Sequence, residues 1–257
     1  MTSFPENFGL IHGEEERIRS ESIAGIEALE DLALHAEVVE GAVSILRYFI
    51  MRDDHRDEDD LFIRILGIRM ANALTGSMQQ LLSGYYQLSA MVARDLVETS
   101  FLVEYFSLDP VKVTRWRLCT DRERKKEFSP IAIRTALDAH HKHEGLKRAK
   151  AYELFSQLAG HPHPKGFAML RGNDGLLQCG PFFDPTALGA TLSELARQSV
   201  VAGEAFQTFF TRSSREDFEN MYGYFMLKGR WLEQFYGMPF DSVLATEYRD
   251  VINLLPE

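Results

Sequence analysis

The chain has 257 residues, 45% of them apolar and 26% charged, with a formal net charge of −10 at pH 7. This composition is that of a globular protein and excludes a fibrous or wholly disordered one. The net negative charge argues against a whole-surface affinity for nucleic acid or anionic membrane, since like charge repels both.

The length allows a sizeable core, and the chain reads as a single helical domain over 1–257, with a core bundle over about 21–237. Residues 1–16 lack a basic region followed by an apolar run, so no signal peptide is expected. Residues 21–51 carry Ile23, Ile26, Leu29, Leu32, Val39 and Val43 at helical spacing. Residues 52–60 are a polar break and then an acid-rich start for a second long helix over 61–83. A third helix follows over 85–107, with Gly84 marking either a turn or a close contact within one longer helix. Residues 70–93 hold no charged side chain, which is long enough for a membrane span. Asn72, Gln79, Gln80 and Gln87, with several hydroxyls, make this stretch too polar for bilayer insertion, so it reads as buried helix and no membrane association is expected.

Residues 111–150 hold 12 Lys or Arg against five Asp or Glu, so this segment is +7 and the remainder −17. It is either a solvated linker surface that complements the acidic N-terminal helix, or the local basic face through which nucleic acid would be held. His140, His141, His143 and Glu144, with His161 and His163 further on, offer imidazoles and a carboxylate that would suit zinc or a similar divalent ion. Adjacent histidines do not share a helix face, however, and no His-Glu-x-x-His or cysteine pair accompanies them. No metal or cofactor is therefore assigned.

A further helix is expected over 144–159, stopped by Gly160 and His161-Pro162-His163-Pro164. Residues 167–171 and 176–179 flank Gly172-Asn173-Asp174-Gly175 and read as a β-hairpin over about 167–180. Asp184-Pro185-Thr186 opens another long helix to about Phe210, and Ser213-Ser214 with Glu216 would cap the last one, to about Gly237. The fold class is mostly α: a multi-helix bundle with one small β-hairpin. Cys119 and Cys179 are far apart and in no metal spacing, which fits free thiols in a reducing, cytoplasmic compartment, with a single disulfide between them as the alternative.

The candidate site begins with Arg94, Asp95 and Glu98 on a helix that is otherwise apolar nearly all round. At about 100° per residue, Glu98 lies near 40° and Asp95 near 100° from Arg94, with Met91 and Leu102 between them. Arg94 and Glu98 are four apart and can bond along the helix, whereas Glu104 points elsewhere and reaches solvent. Such charges are either a structural ion pair that fixes helix register or a ligand site. The helix before Gly160 places Arg148 and Ser156 within an apolar arc that includes Tyr152. The prolines around His163 stiffen the turn that carries His161 and His163.

The order Arg94-Asp95-Leu96-Val97-Glu98, then Tyr152-Glu153-Leu154-Phe155-Ser156 leading to His161-Pro162, resembles a group of uncharacterised prokaryotic all-helical proteins of unknown function. Over roughly 60–210 it is similar in outline to the helical nucleotide-binding and ribonuclease superfamily HEPN. That superfamily pairs an Arg with a His four to six positions later on one helix. Here no Arg precedes His161 by that interval, and the nearest upstream Arg is Arg148.

Three readings follow. The leading one is a helical binding or regulatory module, homo-oligomeric, with ligand contacts from Arg94, Asp95, Glu98, Arg148, Tyr152, Ser156, His161 and His163. The second is an HEPN-like enzyme acting on a nucleotide or RNA, with Arg94, Glu98, Arg148 and His161 around a phosphate. The third is a metal site among the histidines of 140–163.

Overall fold

Polar, Gly- and Pro-marked breaks divide the chain into helices whose apolar stripes face one another. The computed structural model describes residues 5–142, 148, 152–153, 156–160 and 162–256. Within them lie α1 (Glu6–Glu27), α2 (Glu30–Met51), α3 (Glu58–Leu82), α4 (Tyr86–Ser107), α5 (Val111–Leu118), α6 (Asp121–Glu127) and α7 (Pro130–His140). A π-helical turn (Ser156–Gly160) and a 3-10 helix (Pro164–Leu170) follow, then α8 (Pro185–Gln207), α9 (Arg215–Tyr236) and α10 (Ser242–Leu254). The expected helix over 144–159 lies largely outside the described residues. Among those described, no helix is long and apolar enough to cross a membrane.

The periodicity over 21–51 belongs to two helices, not one. They part at Ala28 and Leu29, where Leu29 takes an extended conformation (φ −127°, ψ 114°) with no Gly or Pro to mark it. Helical structure also reaches back to Glu6, beyond the expected bundle limit. Gly84 does separate α3 from α4. Its φ is +80°, and a Cβ there would stand 2.4 Å from the Phe182 carbonyl oxygen, so only glycine fits.

The expected hairpin is reduced to one antiparallel bridge between Arg171 and Leu177, and no strand forms among the described residues. The turn itself is present, with Gly175 N–H donating to the Gly172 carbonyl at 2.8 Å and Leu176 N–H to Asp174 Oδ1 at 2.9 Å. Its first arm is wound into the 3-10 helix instead. Pro164 starts that helix, and His163 Nδ1 caps it by accepting from the Lys165 N–H at 3.2 Å.

Side-chain caps fix the remaining corners. The start of α8 has Pro185 at its first turn and Asp184 accepting from the N–H groups of Thr186 and Ala187. At α9 the capping box is Ser214 with Asp217 rather than Glu216. Asp217 also accepts from Tyr48 Oη at 2.8 Å and Arg52 Nη1 at 3.0 Å, tying the start of α9 to the end of α2. Burial and this bond push the Tyr48 hydroxyl up to about 12. Arg64 on α3 donates to the carbonyls of Phe49, Ile50 and Arg52, satisfying acceptors that the C-terminus of α2 leaves open.

The core sits where α3 lies along α4, and α8 along both α2 and α4; α9 packs on α2, and α10 on α9. Phe49, Phe206, Leu46, Met70, Leu74 and Leu96 are fully buried there. Each such side chain contributes about 1.5–3 kcal/mol. Helix α4 touches α3, α5, α7, α8, the π-helical turn and the 3-10 helix. Side chains around its circumference therefore meet several different elements.

Much of the basic segment is neutralised locally. Arg115 bonds Glu123 and Glu127 at 2.8 Å, and Arg117 bonds Asp59 at 3.0 Å and also Glu58. Arg124 bonds Asp121 at 2.8 Å, and Lys112 lies 3.6 Å from Asp109. The acidic complement is thus the start of α3 and the segment's own carboxylates, not the N-terminal helix.

Candidate functional site: the cleft between α4 and α7

Arg94 and Glu98 form the ion pair that their spacing implies, Nη2 to Oε1 at 3.0 Å. Their side chains are 24% and 33% exposed, so the pair is half-buried rather than buried. Arg94 Nη2 also donates to Tyr152 Oη at 2.6 Å, and its guanidinium carbon lies 5.1 Å from the Tyr152 ring centre. Burial works against the Arg94 charge, but Tyr152 and Glu98 outweigh it and raise the guanidinium pKa. The backbone of Gly160 closes on the same group, since a Cβ at Gly160 would meet Arg94 Nη1 at 2.7 Å. The two quoted sequence segments therefore do meet. They do so at a π-helical turn, an element found often at functional sites.

The remaining candidates divide. Asp95 turns from Arg94 to Arg69 on α3 and pairs with it at the surface. Ser156 begins the π-helical turn, with a buried Oγ that has no hydrogen-bond partner among the described residues. His163 is committed to its capping bond, and His161 lies outside the described residues. Arg148 belongs elsewhere: it bonds Glu104 at 2.6 Å and Asp138 at 3.0 Å, with its side chain 14% exposed. Glu104 therefore does not reach out to solvent; it is half-buried and also lies 3.0 Å from His141 Nε2. Ten residues along a helix is about 15 Å, so Arg148 and Arg94 serve different ends of α4. Of the histidines proposed for metal, His140 and His141 stand ring to ring at 5.0 Å, while His143 and Glu144 lie outside the described residues. Among the described residues no group of three His, Cys, Asp or Glu has metal-holding geometry. Cys119 is buried and Cys179 exposed, both as free thiols.

One residue of the site was not singled out from the sequence. Arg134 on α7 lies with its guanidinium carbon 3.9 Å from the Tyr152 ring centre, so two guanidinium groups contact the same phenol. Its obvious helical partner is Asp138, four residues on, but Asp138 is taken by Arg148. Arg134 Nη1 is buried without a hydrogen-bond partner, as are Arg94 Nε and Ser156 Oγ. Two of the four such atoms among the described residues thus belong to the arginines that contact Tyr152. The usable signal in the sequence was an arginine next to the apolar Ile133 and Leu137 with one carboxylate in reach and a second claimant for it.

Arg134 lines a cleft of about 400 Å³ with Arg69, Asp95 and Glu98. Its apolar wall comes from Phe101, Leu102, Trp116, Phe128 and Ile133. This is the usual make-up of a small-molecule site: an aromatic and aliphatic wall with a few placed polar groups. A second cleft of about 560 Å³ lies beyond Phe101, lined by Glu104, His141, Arg148, Arg197 and Glu204. There each of Glu104, Arg148, Arg197 and Glu204 has an ion-pair partner. No protein-family model, curated protein or solved structure matches the chain.

Proposed function

We propose that the protein is a cytoplasmic helical binding module, a single domain whose ligand occupies the cleft between α4 and α7. The observation that carries this reading is Arg134. A guanidinium lines an aromatic-walled cleft and, among the described residues, has no carboxylate partner and leaves a buried N–H unbonded, at a cost of about 1–3 kcal/mol. A ligand acceptor in the cleft would give this guanidinium the anionic partner it lacks among the described residues.

Trp116 lines this cleft, whereas Trp231, the other tryptophan, is buried against His35 and Phe235. Trp116 fluorescence therefore reports occupancy. Titration with anilinonaphthalene sulfonate is expected to saturate at one dye per chain, and Leu102→Trp, which fills the cleft, to abolish tight binding. Weak, unsaturable binding unaffected by Leu102→Trp overturns the reading.

We further propose that the module works as a homo-oligomer. Leu61, Ile65 and Ile68 form an exposed aliphatic ridge along α3 at helical spacing. Light scattering should give a multiple of 29.3 kDa for the wild type and the single-chain mass for Ile68→Lys. A single-chain mass for the wild type at high concentration removes this part.

The enzymatic reading is favoured by one observation, the meeting of Arg94 with Tyr152 and the turn that leads into His161. A nucleotide- or RNA-acting site in the HEPN manner would then be centred on Arg94. Equal, negligible cleavage of mixed RNA by the wild type and by Arg94→Ala excludes it.

A further inference from the structure

The charges around the cleft specify what it holds. Asp95 is paired with Arg69, and Glu98 with Arg94. Among the described residues Arg134 is left without a carboxylate partner, at the wall of a cleft whose other charged groups, Arg69, Asp95 and Glu98, are all paired. A singly charged head group would neutralise it. A phosphomonoester carries about −1.5 to −2 at neutral pH and would leave excess negative charge beside Asp95 and Glu98. Guanidinium presents a planar fork of donors, which matches the two oxygens of a carboxylate. Apart from these charges and Thr99 the wall is apolar: Leu102, Trp116, Phe128 and Ile133 ask for a hydrocarbon or aromatic body.

We propose that the ligand is an amphipathic monocarboxylate, its apolar body against Trp116 and Phe128 and its carboxylate on Arg134. The proposal rests on the reading of this cleft as a binding site. Arg94 and Tyr152 act as positioning residues: Tyr152 contacts the Arg134 guanidinium on its ring and is itself fixed by the hydrogen bond from Arg94.

The test is a Trp116 fluorescence titration of the full chain with octanoate, octanol and octyl phosphate, run beside the dye. Octanoate is expected to bind about tenfold more tightly than octanol, a difference of about 1.4 kcal/mol. Arg134→Gln should bring octanoate down to the affinity of octanol while leaving octanol unchanged, which also certifies that the variant is folded. Arg134→Lys, keeping the charge but not the fork, should fall between. Equal binding of octanoate and octanol by the wild type overturns the carboxylate assignment, as does tighter binding of octyl phosphate. In both cases saturable dye binding would leave the cleft itself standing as a site. Failure of the dye and of all three octyl compounds to bind overturns both.

Discussion

Arg134 and Tyr152 stand face to face, with the guanidinium carbon 3.9 Å from the ring centre. Both the stability of this corner and its chemistry pass through that contact. Tyr152→Phe keeps the ring but removes the acceptor for Arg94 Nη2, and should cost about 1 kcal/mol. Tyr152→Leu also removes the π-face shared by both arginines and should cost about 1 kcal/mol more. Urea denaturation of the two variants measures the difference, and equal midpoints would show that the ring contributes nothing.

Arg148 makes a larger contribution than Glu98. Arg148→Ala leaves Glu104 and Asp138 half-buried or buried without their shared cation, at a cost of about 2–4 kcal/mol. Glu98→Ala removes a half-buried ion pair that solvent still reaches and should cost about 1 kcal/mol or less. Denaturant midpoints in the reverse order would contradict the burial of the Arg148 network.

Acid sensitivity should appear in two stages. His35 is buried, accepts from Trp231 Nε1 at 2.8 Å and stacks on Phe235 at 4.1 Å. Burial lowers its pKa from the ordinary 6.5, and Asp31 only partly opposes this. The unfolded chain therefore binds the proton more readily. Stability is full above about pH 6.5 and falls as the pH drops through the window below it. A later loss follows below about pH 4, where Asp217 and Asp54, held below the ordinary 3.8 by Ser213, Ser214, Tyr48 and the Arg52 and Arg64 guanidinium groups, become protonated. Thermal midpoints across pH read both stages, and His35→Gln should abolish only the first.

Gly84→Ala tests the corner between α3 and α4. The substitution needs a positive φ and puts a methyl into the Phe182 backbone, at a cost of about 2–4 kcal/mol. An unchanged melting temperature would mean that the two helices are not joined by this turn.

The helices most readable from sequence are those with chemical punctuation. Asp184-Pro185, Ser214 with its acidic partner, and Gly84 all mark real boundaries. The break between α1 and α2 has no such mark, because an extended Leu29 is selected by packing and not by local chemistry. The hairpin failed for a related reason: its turn residues act locally and form, but strand pairing lost to a 3-10 helix set by His163 and Pro164. At the site, the bond of Arg94 to Glu98 is an interaction within one helix and was legible. The partners of Glu104 and Arg134 depend on which guanidinium reaches Asp138 first across three elements. Spacing along the chain carries no information about that competition.

Phe101 is the party wall between the two clefts: it lines both, and the Arg148 guanidinium carbon stands 5.9 Å from its ring. Space gained on one side by turning this ring is taken from the other. A molecule in the first cleft that turned this ring would take its space from the chamber that Glu104 and Arg148 line.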